Sequence, residues 1–237
     1  MNNTTMRVKI CAAATTIITA LTLTACGTNA ATDQPSSTPT ATVETKKPQS
    51  LSQALSQKGR MWFIASEHQP DDTFGKDTQI AYVLISAGDD KVLAYDTGCR
   101  EGRIQVKDLK GLSRDEIVAL AKKEAEKEYA HDVQADSSYG AKVTLDDAVN
   151  PKPIPYELSV KTDNTGNATE GEDFIIPERS GTGLQLAAPM RATLIYDMLF
   201  AGFLEDGGRP GIFTMIEKGE PEFVMDQPDT PGIKIDD

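Results

Sequence analysis

Cysteine, tryptophan and histidine are scarce: three, one and two among 237 residues. Three cysteines make neither a disulfide framework nor a four-cysteine zinc site. Two histidines, His68 and His131, leave few bases for acid–base or metal chemistry. Positive charge is also short. Lysine and arginine number 24 against 36 acids, a formal charge of −12. A chain without a cationic surplus has little to set against phosphate, which argues against nucleic acid as a partner. No apolar run reaches the roughly 20 residues that a spanning helix needs. What remains, 39% hydrophobic and 25% charged, is the composition of a soluble globular protein. The length is enough to bury one real core.

The longest apolar stretch, Ile10 to Ala25, follows Arg7 and Lys9 with no acid nearby. A positive start and a short apolar run are the pattern of a secretory leader. The run ends in Leu23-Thr24-Ala25-Cys26, followed by Gly27. This segment resembles the lipobox of bacterial lipoproteins, an aliphatic residue and two small ones before cysteine. The resemblance implies cleavage between Ala25 and Cys26, diacylglyceryl transfer to Cys26 and acylation of the new amino group. A thiolate is the nucleophile such a transfer needs. Two or more acyl chains make a stable anchor where one is marginal.

Cleavage discards Cys11 together with Arg7 and Lys9, and the formal charge moves from −12 to −14. The expected location is the outer, extracytoplasmic face of the cell membrane, held through the covalent lipid on Cys26. The acidic remainder is repelled by anionic surfaces within a Debye length of about 8–10 Å. Thr28 to Ser50 is rich in Thr, Ser, Pro, Ala, Asn and Gln. Such a segment buries too little to offset its ordering entropy. As a flexible coil of about 24 residues it spans roughly 27 Å. The expected organisation is a signal peptide over 1–25, lipidated Cys26 and a linker over 26–50, and a globular domain over 51–237.

Folding signals begin at Ser50. Ser50-Leu51-Ser52-Gln53 and Ser113-Arg114-Asp115-Glu116 both fit capping boxes. The first predicts a short helix ending near Gly59, the second a long helix to about Tyr129. Ile117, Val118, Leu120, Ala121, Ala125 and Tyr129 give that helix an apolar stripe, with Lys and Glu on the rest as a solvated face. Met61 to Ser66 reads as a buried strand. Ile80 to Ser86 and Lys91 to Asp96 flank Ala87-Gly88-Asp89-Asp90, a hairpin signal. Further strands are predicted at 103–106, 156–162, 173–176, 212–217 and 222–225. Ala192 to Leu204 mixes both propensities, and strand is favoured for its first half. The expected fold class is α+β, a mainly antiparallel β-sheet with one long helix. The order of hairpin, capped helix and late Tyr-Asp segment also resembles small lipoproteins of Gram-positive bacteria.

Few residues suggest chemistry. Cys99 is the thiol left after lipidation and follows a predicted strand in Asp96-Thr97-Gly98-Cys99-Arg100. Arg100 beside it would favour the thiolate. A cysteine after a strand with an arginine nearby resembles the nucleophile segments of wall transpeptidases and sortases. Those families place a histidine in a recognisable context, and the longer motifs around cysteine and arginine are missing here. The weak catalytic candidates are therefore Cys99, Arg100 and His68, against a plainer reading as loop and core residues. His131, next to Asp132, reads as a cation at a helix C-terminus. Asp163-Asn164-Thr165-Gly166-Asn167 is oxygen-rich, but Ala168 and Phe174 stand where a calcium loop needs glycine and glutamate, so a hairpin loop is expected. Trp62 reads as core. No metal or cofactor is expected. The preferred function is a non-catalytic envelope module that binds a protein or small ligand. The alternatives are a cell-wall-active cysteine enzyme using Cys99, or a small solute-binding lipoprotein.

Overall fold

The computed structural model describes residues 47–67, 72–98, 104–134, 143–179 and 182–236. In chain order the elements are β1 (Gln49–Ser50), α1 (Leu51–Leu55), β2 (Met61–Ala65), β3 (Ile80–Gly88) and β4 (Lys91–Asp96). A 3-10 turn (Val106–Leu109), α2 (Arg114–Gln134), α3 (Leu145–Val149), β5 (Ile154–Pro155), β6 (Glu157–Thr162) and β7 (Thr169–Ile175) follow. The chain continues through β8 (Leu184–Ile195), β9 (Met198–Glu205), β10 (Pro210–Ile216), β11 (Phe223–Val224) and β12 (Lys234–Asp236).

Local chemistry sets the element starts. The Ser50 N–H donates to Gln53 Oε1 at 3.3 Å while the Gln53 N–H reaches Ser50 Oγ at 3.5 Å, closing the first capping box. At α2 the Ser113 N–H and hydroxyl both donate to Glu116 Oε2 at 2.7 Å, and the Glu116 N–H returns to Ser113 Oγ at 3.4 Å. Asp89 and Asp90 both adopt φ +52° between β3 and β4, the left-handed pair that a two-residue hairpin requires.

One large sheet runs in the order β12-β6-β7-β8-β9-β10-β2-β3-β4-β5. All its neighbours are antiparallel except β12 and β6. β5 lies at one end of this order and β6 next to the other, yet only Tyr156 separates them in the chain. The sheet is therefore rolled, and its two ends meet in the run 154–162. Each of the strands β2 to β10 gives side chains to one buried cluster, among them Trp62, Leu84, Val92, Phe174, Phe203 and Ile212. α1 adds Leu51, Ala54 and Leu55 to this interior. The outer face of β2, β3, β4, β9 and β10 is covered as well. There Phe63, Val83, Tyr95, Phe200 and Phe213 meet Val106 and Leu109 of the 3-10 turn and Ile117 and Ala121 of α2. Covering both faces explains why Met61–Ala65 is apolar at every position instead of alternating. Each large side chain so buried contributes roughly 1.5–3 kcal/mol.

The expected mainly antiparallel sheet and the one long helix are present, an architecture consistent with α+β or mainly β, with several corrections to the elements. α2 runs five residues beyond Tyr129. Its charged side chains are not all solvated, since Glu124 and Glu128 are buried beside Ala121 and Ala125, and Glu124 is held by Lys127 at 2.5 Å. The strand expected over 103–106 reduces, in its described part, to a single bridge from Gln105 to Gln79 before the 3-10 turn. Ala192 to Leu204 is strand in both halves, folded into a hairpin at Tyr196-Asp197. Tyr196 takes φ +54° there with the Lys110 ammonium 4.6 Å from its ring centre. The 222–225 strand is only Phe223–Val224, paired in parallel with Gln49–Ser50.

Candidate functional site

Ala25, Cys26, His68, Cys99 and Arg100 all lie outside the described residues. The segment that leads to Cys99 is described up to Gly98. Thr97 is anchored under the sheet through its hydroxyl on Ile80 O at 2.8 Å, and the Gly98 N–H donates to Asp96 Oδ1 at 3.0 Å. His131 is exposed and 4.0 Å from Asp132. Trp62 is fully buried, its ring tilted against Phe223 and capped by the Arg60 guanidinium. The Asp163 loop closes the β6–β7 hairpin. Its carboxylate accepts from the N–H groups of Thr165 and Asn167 at 3.2 and 3.1 Å, so it serves its own backbone.

One concave feature sits where the rolled sheet closes. A cavity of about 600 Å³ is bounded by α1, the Asp90 turn, the bend between β5 and β6, and the run Thr230–Lys234. Its position follows from topology. β6 bonds to β7 on one side and to only three residues of β12 on the other, while β4 bonds to the two residues of β5. The closure is consequently incomplete beside Tyr156.

The groups around this seam bond to their neighbours. The Tyr156 N–H donates to Asp90 O at 3.0 Å and the Tyr156 hydroxyl to Asp90 Oδ1 at 3.3 Å. Burial, then the charges of Asp90 and Asp226, hold the Tyr156 proton far above the ordinary phenol range, so the group is a phenol donor at neutral pH. Gln53 is set by the α1 capping box, Ser56 donates its hydroxyl to Gln53 O at 2.7 Å, and Thr230 Oγ1 accepts the Gln227 N–H at 2.9 Å. Lys234 lies 3.5 Å from Glu157 across the same wall.

Behind α1 lies a buried acid pair. Asp226 accepts the Ser52 N–H at 2.9 Å and the Ser52 hydroxyl at 2.5 Å, and its own N–H donates to Glu172 Oε1. Thr169 adds a hydroxyl bond to Asp226 O at 2.6 Å. Glu172 Oε2 is buried without a hydrogen-bond partner. Burial first, and the Asp226 charge second, push the Glu172 carboxyl up to about 8. This cluster ties β7, α1 and the start of the C-terminal run together beside the cavity, because Ser52 belongs to both.

A second concavity of about 480 Å³ lies between Gln57–Met61, Arg114 and Thr214–Glu220. Its most buried cation, Arg60, is already engaged. It bonds Glu220 at 2.7 Å and Gln57 at 2.9 Å and stacks on Trp62 and Phe223. Arg60 is thus a structural clamp. Sequence reasoning missed the seam residues Gln53, Asp90, Tyr156 and Thr230. Gln53 and Asp90 were visible only as cap and turn, and nothing local marks Tyr156 or Thr230. Compared with known proteins, the chain matches no family model, no curated protein and no solved structure.

Proposed function

We propose that this chain is a lipid-anchored, extracytoplasmic, non-catalytic binding module whose ligand sits in the seam cavity. The observation that carries this reading is the cavity of about 600 Å³ beside Tyr156, edged by an amide, hydroxyls and a carboxylate that internal hydrogen bonds already hold. Groups ordered before the ligand arrives do not charge their ordering entropy to binding. The anchor rests on Leu23-Thr24-Ala25-Cys26 after a positive, apolar leader. The Thr- and Pro-rich segment behind it works as a tether, and the acidic domain keeps the module off anionic surfaces.

Membrane partition of the full chain expressed in a bacterium with lipoprotein processing tests the anchor. The unmodified chain is expected in the membrane fraction, shifted by the mass of its lipids. Cys26→Ala is expected to leave it unprocessed or released. Unchanged partition and mass in Cys26→Ala would overturn the lipid assignment.

A further inference from the structure

We propose that the seam cavity binds a neutral saccharide of one or two rings; this rests on the binding reading above and names the ligand class for that site. The argument is an inventory of hydrogen-bonding capacity. Four groups on the cavity wall each spend one bond on holding themselves in place. Asp90 uses Oδ1 on the Tyr156 hydroxyl, which leaves Oδ2 as an acceptor. Gln53 uses Oε1 on the Ser50 N–H, which leaves both Nε2 hydrogens as donors. Ser56 donates to Gln53 O, which leaves its lone pairs to accept. Thr230 Oγ1 accepts from Gln227, which leaves its hydrogen to donate.

The spare capacity is therefore of both kinds, on residues that line one cavity. An organic cation needs acceptors and leaves the Gln53 and Thr230 donors unmet. An anion needs donors and faces Asp90 and Glu157, and the one cation among the described lining residues, Lys234, is already paired with Glu157 at 3.5 Å. An apolar ligand strands all four groups, at the cost of desolvating each. A sugar hydroxyl donates and accepts at once, and adjacent hydroxyls on a ring present both functions at short spacing. Pro155 and Pro231 on the same wall offer flat, rigid apolar surface for the C–H face of such a ring. The volume of about 600 Å³ lies within the range of about 300–1,000 Å³ typical of small-molecule sites.

Calorimetric titration of the full chain in a non-glycosidic detergent tests this. The saccharide probes are glucose, cellobiose and cellohexaose; putrescine is the donor-only control and succinate the acceptor-only control. Cellobiose is expected to bind with Kd on the order of 1 mM and tighter than glucose, while both controls stay silent. Equal affinity for cellobiose and cellohexaose would mark a free sugar or chain end as the source, and tighter hexaose binding a polymer.

Two variants change the inventory and spare the fold. Asp90→Asn suits the left-handed turn and turns the spare acceptor into a donor. Gln53→Glu keeps the capping box and turns the spare donors into an acceptor. Each is expected to weaken cellobiose about tenfold or more, with the unfolding midpoint followed alongside. Sugar binding that ignores both variants would overturn the site. Binding of putrescine or succinate with the sugars inert would overturn the ligand class and leave the binding module standing. Silence from every probe would overturn both.

Discussion

Glu172→Gln is the most incisive perturbation of the fold. In the native state the Glu172 carboxyl is buried, accepts the Asp226 N–H through Oε1, and keeps its proton up to about pH 8. Its ordinary value is 4.5. Between those two values the unfolded chain has released the proton and the folded chain still holds it. The folded state then binds more protons, so stability falls as pH rises through this window. Below about pH 4.5 the carboxyl is neutral in both states and contributes no slope. The full shift sets an upper bound on the order of 5 kcal/mol. Relaxation and water entry around the ionised pair reduce it, and a loss of ~2–3 kcal/mol between pH 5 and pH 9 is expected. The amide introduced by Glu172→Gln would keep the acceptor for Asp226, match the shape of the protonated acid, and never ionise. The assay is urea unfolding at several pH values. It is followed by the fluorescence of Trp62, the sole tryptophan, which is fully buried in the rolled interior. Titrating groups that do not interact with Glu172 cancel in the difference between the two proteins. That difference is expected to grow by ~2–3 kcal/mol in favour of Glu172→Gln as pH rises from 5 to 9. Protection of the Ser52 amide, whose N–H is held by Asp226, taken relative to its intrinsic exchange rate at each pH, is expected to fall in the unmodified protein alone over the same range. A difference that stays constant with pH would refute the reasoning.

Two further substitutions bear on the same framework. Gly202→Ala would place a Cβ 2.1 Å from Ile212 O and 2.5 Å from the Phe213 Cα, where β9 pairs with β10. Backbone cannot give way there, and a loss of ~3 kcal/mol or more in urea unfolding is expected. Asp226→Ala strips the acceptor from the Ser52 N–H and hydroxyl, for a loss of ~2–3 kcal/mol. It also removes a charge that raises Glu172, so the pH at which stability falls is expected to move down, measured by the same urea series.

Much of the fold was legible because its signals are local. A capping box joins residues three apart, and both boxes form as the sequence spells them. The 89–90 hairpin needs only two residues tolerant of positive φ, and aspartates supply them. The failures share a cause as well. Tyr196-Asp197 lacks the Gly or Asn that announces a two-residue turn, so 192–204 did not read as a hairpin. Tyr196 holds φ +54° because the strands on either side pair over their length. Glu124 and Glu128 look like solvated charges on any helical wheel. Only the tertiary position of α2 against the outer sheet buries them.

The site was less legible than the fold, because closure of a sheet is a property of pairing and no short segment encodes it. The run 154–162 pairs with β4 at its start and β7 after the bend, partners on opposite sides of the sheet order. Prolines stand at 151, 153 and 155. In the rolled sheet they accompany the point where one strand gives way to the next, and Pro155 itself lines the opening that results. Asp90 illustrates the same limit at one residue. Its turn geometry was predictable from the two aspartates, but its second task, fixing Tyr156 at the seam, depends on a partner 66 residues away. Thr230 and Gln53 are drawn to that seam from the two ends of the described chain, through the C-terminal run and through α1. A cavity assembled in this way carries no motif. Its chemistry has to be read from the hydrogen bonds each wall residue has left to make, and that remainder favours a ligand that both donates and accepts.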